Sequence, residues 1–88
     1  MAFNKTTYLI NKIVTRMPHL CHLKKCPYKA YIFLYQNGYR WSGSITVTGY
    51  CLLHKKRISH INQTKDMIIF SSRKELENIL LLKEILEE

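Results

Sequence analysis

Acidic side chains are almost absent from most of this 88-residue chain. Of its six Asp and Glu, only Asp66 lies within residues 1–71, which carry eleven Lys and Arg; residues 72–88 hold the other five acids against three cations. No carboxylate pair is therefore at hand for acid/base catalysis, and no nucleophile motif replaces it. Glycine (three) and proline (two) are scarce, and there is no internal repeat or low-complexity segment. No apolar run is long enough to cross a membrane, and the N-terminus lacks the apolar stretch of a secretory signal. Cysteine numbers three, an odd count that argues against a disulfide scaffold and for reduced thiols in the cytoplasm.

What is present suffices for one domain with a thin core. The apolar share, 47%, is ordinary for a globular chain, but the net charge of +8 is not. A field of that sign favours phosphate backbones, anionic membrane surfaces or acidic protein patches as partners. Ile, Lys, Asn and Tyr make up 31 of the 88 residues, the bias of AT-rich coding DNA such as phages and mobile elements carry. A host-cell cytoplasm is the setting this suggests.

Periodicity divides the chain into helix, strands and helix. Leu9, Ile10, Ile13, Val14 and Met17 recur at three- and four-residue spacings, predicting an N-terminal helix over 4–17 that Pro18 ends. The same acid-free opening has a transit peptide's composition, and the helix is the preferred reading. Residues 19–27 read as a connector. Asn37-Gly38 is a strong hairpin signal, because a type I′ turn needs positive φ at both positions. A two-residue loop joins strands 28–36 and 39–48, pairing Gln36 with Tyr39, Leu34 with Trp41, Ile32 with Gly43 and Ala30 with Ile45. That register turns Tyr31, Phe33, Tyr35, Arg40, Ser42, Ser44 and Thr46 to the outer face. Residues 51–61 are open to a third strand, a strand and loop, or a long β-excursion, and a strand is expected at 66–70. Ser72, three residues before Glu75, caps a helix over 72–87. Leu76, Ile79, Leu80 and Leu86 form one face of that helix, with Leu81 and Ile85 opposite, so a second cover, the first helix or another copy in a homodimer, is required. The expected architecture is a small single α+β domain, both helices packed on the inner face of a three- or four-stranded antiparallel sheet.

Candidate binding residues follow from this layout. Tyr31, Phe33 and Tyr35 would stack bases while Lys29 and Arg40 hold phosphates, unless a helix or partner covers that face. Lys55, Lys56 and Arg57 form a run suited to sequence-independent phosphate contact, or to a solvated edge strand. Arg73 and Lys74 occupy the first turn of the last helix, where the macrodipole disfavours cations and the free amides would accept an anion. Cys21, Cys26, Cys51 and His54 are the set that would hold a structural zinc ion. The Cys21–Cys26 spacing is loose, so the expectation is no metal and no cofactor. A metal-independent ribonuclease using His54 or His60 with Lys55 or Arg57 has only a thin constellation behind it. The chain is therefore not expected to be an enzyme.

"YRWSGSI" (39–45) followed by "MIIFSSRKELENI" (67–79) resembles the small three-stranded-sheet-plus-helix DNA-binding domains, the integrase arm-binding and ethylene-response type. The resemblance implies a sheet that enters a major groove, with Arg40, Ser42, Ser44 and Thr46 at the reading positions and Lys29 toward the backbone. The element order is also similar to a double-stranded RNA-binding domain, whose basic pair at the start of the last helix would be Arg73-Lys74. The function expected is a small basic protein binding DNA or RNA, of phage or mobile-element type, with no membrane association. The alternative is a small phage-encoded inhibitor of a host system, for example an anti-CRISPR, acting by protein–protein contact.

Overall fold

Six elements form in the computed structural model, which describes residues 5–38, 45–64 and 66–87, and the side chains of 6–82 among them. They are α1 (Lys5–Thr15), β1 (Ile32–Asn37), β2 (Ile45–Tyr50), the one-turn α2 (Lys56–Ser59), β3 (Met67–Phe70) and α3 (Arg73–Glu87). The strands make an antiparallel sheet ordered β2-β1-β3, so β1 is central. The result is a single small α+β domain.

One face of the sheet is apolar, and both helices bury it. Phe33 and Tyr35 of β1 pair with Phe70 and Ile68 of β3, and these four side chains share a core with Ile10 and Ile13 of α1, Ala30, and Leu76 of α3. Phe33 and Phe70 stack with their rings 5.5 Å apart. Leu9, Val14, Met17, Ile45, Val47, Ile79 and Leu80 close the rim. Each such side chain, fully buried, contributes about 1.5–3 kcal/mol, which is how so small a sheet holds two helices. The α3 entry follows its capping signal: Ser72 Oγ accepts the Glu75 N–H at 3.2 Å, while the Glu75 carboxylate accepts from Ser71 Oγ at 2.5 Å.

The hairpin register differs from the one the Asn37-Gly38 signal predicts. Tyr35 faces Val47, Phe33 faces Gly49 and Asn37 faces Ile45, which is not the register that a two-residue turn at Asn37-Gly38 sets. Gly38 does take a positive φ of 60°. The displacement is odd, and an odd slip exchanges the faces that β2 presents to β1. Burial explains the choice. The observed register puts Val47 and the bare Gly49 beside Tyr35 and Phe33 on the helix-covered face, where the largest side chains leave water.

Gly49 is fixed by close approach. A Cβ there would lie 2.6 Å from the Ala30 Cβ and 3.0 Å from Pro18 Cγ. The expected strand start at 28 is also corrected: residues 19–21 and 28–30 instead form a two-rung ribbon, with Cys21 N–H bonded to Tyr28 O and Ala30 N–H to His19 O. The strand allowed within 51–61 is replaced by tight turns and α2, whose Ile58 is buried. On α3, Leu76 is buried as its periodicity demands, whereas Leu81 and Leu82 are exposed; the side chains of Ile85 and Leu86 lie outside the described residues.

Candidate nucleic-acid interface and cysteine–histidine cluster

Two loops far apart in sequence meet at the end of the sheet where β1 begins and β2 finishes. The first is the tip of the 19–30 ribbon. Its chain reverses through a turn closed by Cys26 N–H to Leu23 O at 3.1 Å, with Lys25 in the left-handed region at φ 65°. The second follows β2 directly, where His54 N–H bonds to Cys51 O at 3.1 Å and brings the first and last residues of a four-residue turn together. A bond from His22 N–H to Gly49 O and another from Tyr31 N–H to Tyr50 O lash the ribbon to β2.

These turns converge on four soft donors. The Sγ atoms of Cys21, Cys26 and Cys51 and a ring nitrogen of His54 all lie within 4.8 Å of one another. His54 Nδ1 stands 3.5 Å from Cys21 Sγ, 3.6 Å from Cys26 Sγ and 3.2 Å from Cys51 Sγ, and the Cys26 and Cys51 sulfurs are 3.8 Å apart. All three cysteines are free thiols. Burial pushes the Cys21 thiol up, but backbone N–H bonds from Leu23 and Cys51, with His54 and Cys26 beside it, draw it down to about 6. The Tyr28 N–H pulls Cys26 down, yet burial and the crowding Cys21 and Cys51 sulfurs leave it raised. These four residues are the ones in the described structure with the chemistry to hold a metal.

The same two segments carry six of the fourteen cations. Lys24 and Lys25 sit between the two ribbon cysteines, Lys29 at its exit, and Lys55, Lys56 and Arg57 immediately after His54; all six side chains are exposed. No acid lies in either segment, and Asp66, at the start of β3, is at the other end of the sheet. Among the cations stand exposed rings. Tyr28 and Tyr31 are each about half open to solvent, Lys29 Nζ lies 5.9 Å from the Tyr31 ring centre, and His22 and Tyr50 meet at 5.9 Å.

Several expected site residues fall elsewhere. Phe33 and Tyr35, with 6% and 2% exposure, belong to the helix-covered core and are unavailable to bases in this fold. The outer aromatic face is thus corrected to an inner one, through the register change above. Arg40, Ser42 and Ser44 lie outside the described residues. Thr46 is exposed on β2 opposite Gln36, on the face away from the core. Arg73 is pinned: its Nε donates to Glu77 at 2.9 Å and its guanidinium reaches Asn11 of α1 at 3.2 Å. Its place in the first turn is accounted for by those bonds, while Lys74 remains exposed. For a ribonuclease, His54 would have to leave the cysteines, and His60 Nδ1 is turned to the Lys56 carbonyl at 3.4 Å.

Sequence reasoning missed Lys24, Lys25, Tyr28 and the exposed pair Leu52 and Leu53, 59% and 69% open. The available signal was that each lies inside or beside one of the two Cys/His pairs. Compared with protein families, with curated proteins and with solved structures, the chain matches none.

Proposed function

We propose that this protein is a non-enzymatic nucleic-acid-binding module, working in the cytoplasm and gripping the sugar–phosphate backbone with the cations of its cysteine–histidine end. One observation carries the reading: Lys24 and Lys25 on one loop and Lys55, Lys56 and Arg57 on another are gathered around a single donor cluster, with no acid among them. Five exposed cations on converging loops would displace condensed counterions from a polyanion, and affinity would fall steeply with salt. Tyr28 and Tyr31 offer ring faces for unpaired bases beside those phosphate contacts, each stack contributing on the order of 1–3 kcal/mol. This arrangement favours a single strand or a strand end, where bases are free to turn out.

A second reading rests on a different observation. Leu52 and Leu53 project from the tip of the second turn, and an apolar pair ringed by cations also suits a docking site for an acidic host protein, as an inhibitor would require. Fluorescence-anisotropy titrations against short single-stranded and duplex DNA and RNA, at low and physiological salt, separate the two. The module reading expects binding by the protein alone, with the logarithmic salt slope reduced by about 2 to 3 when Lys55, Lys56 and Arg57 are all replaced by Ala. Absence of binding to every probe at physiological salt would sink it and leave the protein-partner reading standing.

A further inference from the structure

We infer that Cys21, Cys26, Cys51 and His54 hold one zinc ion in a closed, four-coordinate structural site. Four of the six donor–donor separations match a tetrahedral zinc site. With Zn–S about 2.3 Å and Zn–N about 2.0–2.1 Å, tetrahedral angles put sulfurs roughly 3.8 Å apart and sulfur and nitrogen roughly 3.6 Å apart. The Cys26–Cys51 separation is 3.8 Å, and His54 Nδ1 lies 3.5, 3.6 and 3.2 Å from the three sulfurs. A disulfide would need sulfurs about 2.05 Å apart, against the 3.8 Å between Cys26 and Cys51. A two-iron cluster spreads its protein ligands over two metal ions, which four donors all within 4.8 Å do not match.

The surroundings suit thiolates. Backbone N–H groups of Leu23 and Cys51 point at Cys21 Sγ, and that of Tyr28 points at Cys26 Sγ, so the charge that three thiolates bring is spread into the turn amides. In the bound state all three cysteines coordinate as thiolates, while His54 donates through neutral Nδ1 and keeps its proton on Nε2. Three thiolates and one divalent ion leave a single negative charge, and Lys24, Lys25, Lys55, Lys56 and Arg57 stand around it to offset it. Four protein ligands leave no open position for water or substrate, which assigns the ion to structure and not to catalysis.

The fold also needs a tie at this place. Of the segments 19–30 and 51–60, only Ala30 belongs to the central core cluster, and Leu20, Tyr28, Leu52 and Leu53 face solvent. Chains this small commonly supplement a thin core with a metal or disulfides.

The test is elemental analysis of the full-length protein, purified without chelator under reducing conditions and free of nucleic acid, followed by cobalt substitution. One zinc per chain, and visible d–d bands of a tetrahedral thiolate site on titration with Co²⁺, are expected. His54→Cys should retain the metal with shifted cobalt bands. Cys26→Ser should lose affinity beyond the roughly 10- to 100-fold that removal of an outer-shell partner costs. Folded protein that takes up neither ion after reconstitution, or that carries a Cys26–Cys51 disulfide in mass spectra of the same reduced preparation, would overturn the assignment. None of these readouts involves nucleic acid, so the metal site stands or falls separately from the proposed function.

Discussion

The two ends of this molecule are held together by different means. Under the sheet, Ile13, Phe33, Tyr35, Ile68, Phe70 and Leu76 interlock through many weak contacts, none of which needs a special atom. At the ribbon end, Leu20, Tyr28, Leu52 and Leu53 face solvent, and besides Ala30 and Ile58 the side chains that meet inside are three sulfurs and one imidazole. A core of the first kind tolerates small repacking and fails gradually. A centre of the second kind depends on each of its ligands. The proposed binding cations lie at the second end because cations need exposure, and a loop anchored by its buried residues can leave its other side chains in water.

The sharpest way to break that contrast is at Phe70. Its ring is fully buried and stacked on Phe33, so Phe70→Ala should cost about 3–5 kcal/mol, against a total stability of about 5–15 kcal/mol for a domain of this kind. Urea denaturation followed by circular dichroism should show the midpoint collapsing. A loss under about 1 kcal/mol would mean that β3 is not the wall of the core.

Gly49 tests where the two ends are joined. It pairs with Phe33 of the core, while its carbonyl accepts the His22 N–H of the ribbon. In Gly49→Ala, the new methyl would meet the Ala30 Cβ, which cannot swing aside because it is rooted on the backbone. The expected cost is about 1–3 kcal/mol, read from thermal unfolding. Ala30→Gly in the same chain should recover part of it. If the double variant is no better than the single one, the crowding is elsewhere.

How much of this was readable beforehand depends on what kind of signal each region emits. Residues of α1, β3 and α3 repeat their apolar positions with a helix or strand period, and the sequence alone yields the α+β class and the order of those elements about the β1–β2 pair, though not α2. The Ser72–Glu75 spacing yields the α3 entry. The hairpin misled because Asn37-Gly38 is a local signal, and the burial of Phe33 and Tyr35 is decided by β3, thirty-odd residues away in the chain. Alternation says that Phe33 and Tyr35 share a face, but it does not say which face the helices will choose. The donor cluster was legible only as four residue types at two spacings. Cys21 and Cys26 look poorly spaced on paper because the compensating left-handed turn at Lys25 has no glycine to announce it.

Tyr35 gives a pH-dependent probe of the core end alone. Burial, with the Asp66 charge as a lesser cause, raises its phenol above the ordinary value near 10. The sign follows from linkage. A pKa higher in the folded than in the unfolded state contributes stability that is complete below about pH 10 and is lost as pH rises through the folded value. Tyr35→Phe should therefore flatten the alkaline decline of the urea midpoint while leaving its neutral-pH value within about 1–1.5 kcal/mol of the parent. Identical alkaline limbs for the two proteins would mean that other tyrosines or the lysines govern that decline.

The smallest effect belongs to Arg73, and it separates a structural cation from the proposed binding cations. Its ion pair with Glu77 is an exposed i,i+4 contact on a helix surface, with its guanidinium also reaching Asn11 across to α1. Pairs of this kind contribute about 0.2–1 kcal/mol, so Arg73→Ala should move the unfolding midpoint only slightly, and less at high salt. Its consequence for nucleic acid should be equally slight, because the side chain is already tied to Glu77 and to Asn11. Lys55→Ala should behave in the opposite manner, leaving stability within about 0.5 kcal/mol while weakening binding and lowering the salt slope by about 1. If Arg73→Ala weakens binding as much as Lys55→Ala does, the interface extends over the α3 entry and the two ends are not functionally distinct.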